Sequence, residues 1–129
     1  NEGCALFNVY NAVITGNTIK ATGGSVTDVN SCALHVQIPQ NSKAPSDYTK
    51  TSVLIMNNKC YGGRNGILVY SHSDYKSKFG KVYIFSNNIW YKGTDTAAIN
   101  WGGWDHKNSV SFDGVPNLTL AGNTLKKGW

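Results

Sequence analysis

The chain has 129 residues, which suits one domain with a single hydrophobic core. Its net charge of +5 comes from scattered lysines, which suit either an acidic partner or plain solubility. No apolar stretch approaches the ~18 residues of a membrane-spanning helix, and no segment shows apolar residues at helical spacing. Because the apolar residues are mainly Val, Ile, Leu, Tyr and Trp, the composition predicts an all-β fold.

In chain order, the clearest predicted elements are four strands that share one motif. Each has an aliphatic residue followed three places on by Asn and five places on by Ile, Cys or Leu. The segments are VITGNTI (13–19), LIMNNKC (54–60), YIFSNNI (83–89) and TLAGNTL (119–125). The aliphatic column is Ile14, Ile55, Ile84 and Leu120. The last apolar column, which re-enters the same side after the polar corner, is Ile19, Cys60, Ile89 and Leu125.

A weaker set of strands alternates with the first along the chain. Its segments are CALFN (4–8), CALHV (32–36), NGILV (65–69) and AAINW (97–101). The aligned core position of this second set is occupied by Leu6, Leu34, Ile67 and Ile99. The two sets together predict four turns of about 28 to 41 residues each.

This alternation predicts a solenoid, because stacking such strands at about 4.8 Å joins their apolar faces into one core. The asparagine column has a physical role at the corner of each turn. Asn tolerates the left-handed backbone conformation, and stacked amides can hydrogen-bond to one another as a ladder. The structural ladder residues are Asn17, Asn58, Asn87 and Asn123. The alternative is a β-sandwich with four unrelated asparagine turns.

The motif resembles the V-x-I-x-x-N-x-I coils of the right-handed parallel β-helix superfamily, the pectate-lyase-like fold. The resemblance implies an all-β, right-handed parallel β-helix solenoid of about four coils, with residues 1–129 as one domain. It does not identify an activity, because this fold carries many functions. No catalytic residue of the family can be transferred: Arg64 is the only arginine, and the paired-Asp and Gly-His-Gly motifs are missing. Since both chain ends lie inside the repeat, we expect a fragment of a longer protein.

Three long connections leave the same corner of the predicted solenoid, and we expect them to gather on one side as a binding face. They span residues 37–51, 70–81 and 100–116. The candidate substrate-binding residues are Tyr48, His72, Tyr75, Trp104, His106 and Lys107. The candidate catalytic residues are Asp74, Asp105 and Asp113. Acids on adjacent coils would lie roughly 5–10 Å apart, the range of glycosidase carboxylate pairs.

Elimination on a uronic acid is the alternative chemistry, with Lys, His and Tyr side chains of these connections as base and charge neutraliser. We predict no metal and no cofactor. The cysteines Cys4, Cys32 and Cys60 are odd in number and widely spaced, which favours small buried hydrophobes over disulfides or zinc ligands. We assign His35 a structural role, in an outward column with Phe7.

The outward columns beside the asparagine motif are unexpectedly apolar, which indicates coverage by another chain or by long loops. They are Val13, Leu54, Tyr83 and Thr119, then Thr15, Met56, Phe85 and Ala121. This pattern resembles phage tailspikes, in which three β-helices pack around a threefold axis. The resemblance implies a homotrimer in the virion tail, made in bacterial cytosol. Its activity would be recognition and hydrolytic depolymerisation of a bacterial surface polysaccharide. Acidic polysaccharides are among the candidate substrates.

Two other functions stay open: a non-catalytic structural or adhesive β-helix of a fibre, and a polysaccharide lyase. We expect no nucleic-acid partner and no membrane insertion.

Overall fold

The structure, a computed structural model of the chain, describes most of the predicted strands. The described residues are 2–7, 9, 11–23, 26, 31–37, 52–70, 81–93, 99–102 and 118–129, with only the backbone at 70 and 99–102. Within these ranges the chain is all-β: it forms twelve strands and no helix. None of the described residues therefore belongs to a helix able to cross a membrane.

The strands form three four-stranded sheets in the described part of the chain. Sheet A contains β1 (Cys4–Leu6), β4 (Cys32–Gln37), β7 (Asn65–Tyr70) and β10 (Ile99–Gly102). Sheet B contains β2 (Asn11–Thr15), β5 (Ser52–Met56), β8 (Lys81–Phe85) and β11 (Leu118–Ala121). Sheet C contains β3 (Thr18–Lys20), β6 (Lys59–Tyr61), β9 (Asn88–Tyr91) and β12 (Thr124–Lys127).

All nine strand pairings are parallel among the described strands. Every third strand along the chain returns to the same sheet and pairs with the strand before it there. The sequence pattern indicated two strand sets, whereas the short segment after each corner asparagine forms a sheet of its own. The arrangement is consistent with a β-helix solenoid.

The register confirms the predicted columns of the asparagine motif. In sheet B the paired residues are Ile14, Ile55, Ile84 and Leu120. In sheet C they are Ile19, Cys60, Ile89 and Leu125. The members on the two central strands are fully buried in one hydrophobic cluster with residues from sheet A. Each buried aliphatic side chain contributes about 2 kcal/mol, so the core is a continuous source of stability along the stack.

The alignment of β1 with the rest of sheet A is shifted by two residues from the one that the sequence suggested. Cys4, not Leu6, is the partner of Leu34, and Ala5, not Phe7, is the partner of His35. A shift of two keeps every side chain on the same face, so the apolar pattern cannot distinguish the two registers. The observed register is continued by a backbone hydrogen bond from Gly3 N to Cys32 O, of 3.1 Å.

The corner between sheets B and C is made by the residue before each ladder asparagine, which corrects the expectation that Asn itself adopts the left-handed conformation. The residues with positive φ at these corners are Gly16 (72°), Asn57 (58°), Ser86 (55°) and Gly122 (66°). Two are glycines and one is Asn, the residues that tolerate this conformation best. The ladder asparagine that follows is left to supply hydrogen bonds.

Candidate functional site

The candidate catalytic and substrate-binding residues of the sequence all lie outside the described residues. They are Asp74, Asp105, Asp113, Tyr48, His72, Tyr75, Trp104, His106 and Lys107. The structure does describe the strands from which their three segments leave and to which they return. These strand ends determine where each segment is attached to the fold.

The three segments leave from adjacent strands at one edge of sheet A. The last residues of β4, β7 and β10 are Gln37, Tyr70 and Gly102. Tyr70 is the in-register partner of both Gln37 and Gly102. Adjacent strands are about 4.8 Å apart, so the three departure points follow one another at that interval.

The segments also return to adjacent strands, at the beginning of sheet B. Ser52, the first residue of β5, is paired with Lys81, the first residue of β8. Leu118, the first residue of β11, is paired with Val82. All three long segments are therefore attached at the same corner of neighbouring turns.

At the corner between sheets B and C, the ladder asparagines form a continuous line of hydrogen bonds. The Nδ2 group of Asn17 donates to Oδ1 of Asn58 at 3.1 Å, and that of Asn58 to Oδ1 of Asn87 at 3.0 Å. The line continues from Asn87 Nδ2 to Asn123 Oδ1 at 2.9 Å. Each accepting oxygen also takes the backbone N–H of the preceding asparagine, at 2.9 to 3.0 Å.

The same amides bind the backbone of sheet B. Asn58 Nδ2 donates to the carbonyl of Ile14 at 2.8 Å, and Asn87 Nδ2 to that of Ile55 at 3.0 Å. Asn58 and Asn87 are each 1% exposed, so these bonds satisfy groups that water does not reach. The ladder thus uses its polar groups inside the fold and does not present them to a ligand.

His35 lies on sheet A as a buried residue with neighbours inside the chain. Its Nδ1 contacts the carboxylate of Glu2, and the ring of Phe7 meets the imidazole edge-on, with centroids 5.5 Å apart. The contact holds the segment before β1 against β4. These contacts support a structural role for His35.

The three cysteines form no disulfide; Cys32 and Cys60 are buried and Cys4 is half-buried. Burial raises the pKa of the Cys60 thiol from 9.0 to about 12. The thiol is therefore protonated at neutral pH and is not a nucleophile there. Among the described residues, no three His, Cys, Asp or Glu side chains are grouped as metal ligands.

Aromatic and lysine side chains form a column on the outward face of sheet C. Tyr61 and Trp90 stack with centroids 4.3 Å apart and planes 9° from parallel. The ammonium group of Lys20 lies 5.1 Å from the Tyr61 centroid, and that of Lys126 lies 5.3 Å from the Trp90 centroid. We call these four residues the lysine–aromatic column.

The register of sheet C explains this column. Lys20 is paired with Tyr61, Tyr61 with Trp90, and Trp90 with Lys126. Each follows the residue of its strand in the apolar column Ile19, Cys60, Ile89 and Leu125, so alternation turns it to the opposite, outward side. Cation–π contacts at such half-exposed sites contribute about 0.5–1 kcal/mol each, and the ring stack adds a similar amount.

Trp129 extends the column at one side. Its Nε1 donates to the carbonyl of Gly62 at 2.7 Å, and its ring meets Tyr61 edge-on at 5.4 Å. The ammonium group of Lys92 lies 4.2 Å from the centroid of Trp129. A third lysine–aromatic contact among the described residues therefore lies next to the column.

The sequence interpretation overlooked these residues because it searched for ligand contacts in the long connections. A signal was present one position after the last apolar column of the motif. The residues there are Lys20, Tyr61, Trp90 and Lys126, an aromatic pair between two lysines. Period-two alternation would have placed all four on one outward face.

The outward columns of sheet B are in the predicted register. Leu54 is paired with Val13 and Tyr83, and Met56 with Phe85. The rings of Tyr83 and Phe85 are 5.4 Å apart and tilted, and Val13 is 68% exposed. The central part of this face is thus apolar and partly exposed in the isolated chain.

The described residues form an all-β fold with three parallel sheets. The chain matches no protein-family model, no curated protein and no solved structure. Its function is therefore inferred from its own residues and geometry.

Proposed function

We propose that the chain is a right-handed parallel β-helix of about four coils, part of a phage tailspike-like protein that recognises and depolymerises a bacterial surface polysaccharide. The observation that carries this proposal is the attachment of three long segments to adjacent strands at one corner. Segments attached at intervals of about 4.8 Å suit an elongated ligand that runs along the stack. Such a protein would be made in bacterial cytosol and act in the virion tail.

In this proposal, polar and aromatic side chains of the three segments bind the polysaccharide. They are Tyr48, His72, Tyr75, Trp104, His106 and Lys107. Aromatic rings offer apolar faces to the C–H side of sugars, while imidazole and ammonium groups bind hydroxyl or acidic groups.

We assign the chemistry to Asp74 with either Asp105 or Asp113. One carboxylic acid protonates the oxygen of the leaving sugar, and the other carboxylate assists attack at the anomeric carbon. Water is the second reactant, and its proton and hydroxyl end on the two new chain ends. Hydrolysis is preferred to elimination because the three segments contain several aspartates but no arginine to neutralise a uronate.

The proposed assembly is a homotrimer in which the outward face of sheet B is covered by neighbouring chains. Its support is the apolar character of that face, on which Leu54, Met56 and Phe85 are only partly buried. A partly exposed apolar sheet face is typical of surfaces that contact another protein.

The depolymerisation test uses purified capsular and O-antigen polysaccharides as substrates. We expect falling chain length with new reducing ends. New absorbance from an unsaturated sugar would instead show the lyase reaction. Binding without any cleavage would show the non-catalytic adhesive function. The lysine–aromatic column favours that function, because the described strands of sheet C contain no acid that could catalyse hydrolysis.

Variants of the acids sharpen this test. Asp74→Asn should lower the cleavage rate by about 10²-fold or more, the usual contribution of a general acid or base. Asp105→Asn and Asp113→Asn determine which residue is its partner. Asp28→Asn and Asp95→Asn are matched controls on the other connections and should cleave at the normal rate. Equal activity in all five variants would exclude the assigned carboxylates.

A further inference from the structure

The aromatic rings of the lysine–aromatic column do not offer their faces to a ligand. Tyr61 and Trp90 cover one another, while Lys20 and Lys126 cover the two remaining faces. Because the rings stack along the direction in which the strands follow one another, only their edges are left partly exposed, and Trp129 covers part of the Tyr61 ring. The edge of an aromatic ring carries the positive part of its quadrupole.

The charges around the column have the same sign. Lys20 and Lys126 lie three strand spacings apart, about 14 Å, on β3 and β12. Lys59 lies exposed on β6, two residues from Tyr61. The described strands of sheet C contain no Asp or Glu. This face therefore presents ammonium groups and positive ring edges with no acid among its strand residues.

Hydroxyl and amide groups accompany these charges. In the neighbouring outward column, Lys59 is paired with Thr18 and Asn88, and Asn88 with Thr124. Thr18 and Thr124 are exposed. A ligand along the stack would thus meet the ammonium groups of the lysine–aromatic column and, in the next column, Lys59 between hydroxyl and amide groups.

We propose that the outward face of sheet C, centred on the lysine–aromatic column, binds an anionic polysaccharide along the stacking direction. The inference rests on the proposed function for the ligand class, a polysaccharide. It adds a second binding face, apart from the three long segments, and requires carboxylate or sulfate groups on the polymer. Ammonium groups spaced along one direction complement a chain that carries repeated negative charges.

Single-stranded nucleic acid is the other common polyanion, and the column suits it poorly. Proteins bind single strands by stacking bases on open aromatic faces. Here both faces of each ring in the stack are already covered. The exposed threonine hydroxyls match a hydroxyl-rich polymer better.

The test is affinity electrophoresis of the whole chain in gels containing polygalacturonate, with dextran as the neutral polymer. We expect polygalacturonate to retard the protein and dextran not to do so. The double variant Lys20→Gln/Lys126→Gln should weaken binding to polygalacturonate by about fivefold, since each exposed ion pair contributes modestly. Lys20→Arg/Lys126→Arg keeps both charges and should bind within about twofold of the original chain.

Lys127→Gln, compared with the single variant Lys126→Gln, is the matched control, because Lys127 is exposed on the same strand and alternation turns it away from the column. Equal weakening by Lys127→Gln and Lys126→Gln would show unspecific charge attraction and overturn the inference. Retardation by dextran equal to that by polygalacturonate, or stronger binding to a single-stranded oligonucleotide, would also overturn it. Loss of cleavage in Asp74→Asn is a separate result, so the two proposals fail independently.

Discussion

Asn87 illustrates at the scale of one residue how the corner is stabilised. It is 1% exposed, donates to Ile55 O and Asn123 Oδ1, and accepts from the backbone and side chain of Asn58. A buried donor or acceptor that loses its partner costs about 1–3 kcal/mol. The stability of the ladder therefore depends on the completeness of these bonds.

Asn87→Ala should lower the free energy of unfolding by about 3 kcal/mol, because it leaves Ile55 O and Asn58 N without their amide partners. Asn17→Ala is the matched control. Asn17 is exposed, and loss of its Nδ2 donations should cost about 1 kcal/mol or less. Urea unfolding followed by circular dichroism measures both. Equal losses of unfolding free energy in the two variants would show that the buried ladder bonds stabilise the fold no more than the exposed ones.

The buried thiol of Cys60 gives a prediction of pH dependence. Its pKa is about 12 in the folded chain and 9.0 in the unfolded chain. Between these values the folded state holds the proton more tightly, so the free energy of unfolding falls as pH rises from 9 toward 12. The slope contributed by this group is about 1.4 kcal/mol per pH unit at most.

The comparison of the original chain with Cys60→Ala isolates this effect from the titration of tyrosines and lysines. We expect the difference in free energy of unfolding between the two chains to shrink above pH 9. A difference that stays constant from pH 8 to pH 11 would contradict a thiol held protonated by burial. Urea unfolding at each pH provides the measurement.

At the scale of single elements, each turn between sheets B and C requires one left-handed residue before the asparagine. Glycine occupies this position in two of the four corners, and Asn57 and Ser86 occupy the others. A residue with a Cβ is strained in this conformation by about 1–2 kcal/mol, although Asn less so. The corner is thus set by two residues, one for backbone conformation and one for hydrogen bonds.

Gly16→Ala tests the backbone part alone. A Cβ at Gly16 would meet no atom within 4 Å, so the substitution creates no clash. We still expect the free energy of unfolding to fall by about 1 kcal/mol, because φ at this position is +72°. Ser86→Gly should have the opposite sign or no effect. A neutral Gly16→Ala in thermal unfolding would show that the corner relaxes freely.

Sequence periodicity predicted the elements with different success in the three sheets. The asparagine fixed the register of sheets B and C, because only one alignment stacks Asn17 on Asn58. Sheet A lacks such a marker, and β1 was aligned two residues away from its true partners. The column of Tyr61 and Trp90 has the same register as the predicted Cys60–Ile89 column, but alternation only places the two rings on one face and does not show that they stack.

At the scale of the whole molecule, the proposed trimer predicts a defined mass in solution. Analytical ultracentrifugation should give the mass of an assembly of three chains, each of 14.0 kDa. Leu54→Glu places a charge in the centre of the apolar face of sheet B and should yield single chains. Thr124→Glu, an exposed position on sheet C, is the control and should leave the mass unchanged. A monomeric original chain would exclude the trimer without affecting the fold.

The proposed depolymerase and the proposed anion-binding face both depend on parallel strands stacked in register. This order puts the three long segments at one corner and Lys20, Tyr61, Trp90 and Lys126 in one line. A shift of one residue in the strand register of sheet C would turn these four side chains from the outward face into the core. The sequence predicted the stacking itself, whereas the chemistry of the long segments stays a prediction.

The most direct test of this stacking is a nuclear Overhauser measurement on the side-chain amides of the ladder. Asn58 should show contacts to Asn87, and Asn87 to Asn123, since their Nδ2 and Oδ1 atoms lie 3.0 and 2.9 Å apart. Absence of both contacts, together with the close Hα–Hα pairs of antiparallel strands, would contradict the fold and both binding proposals.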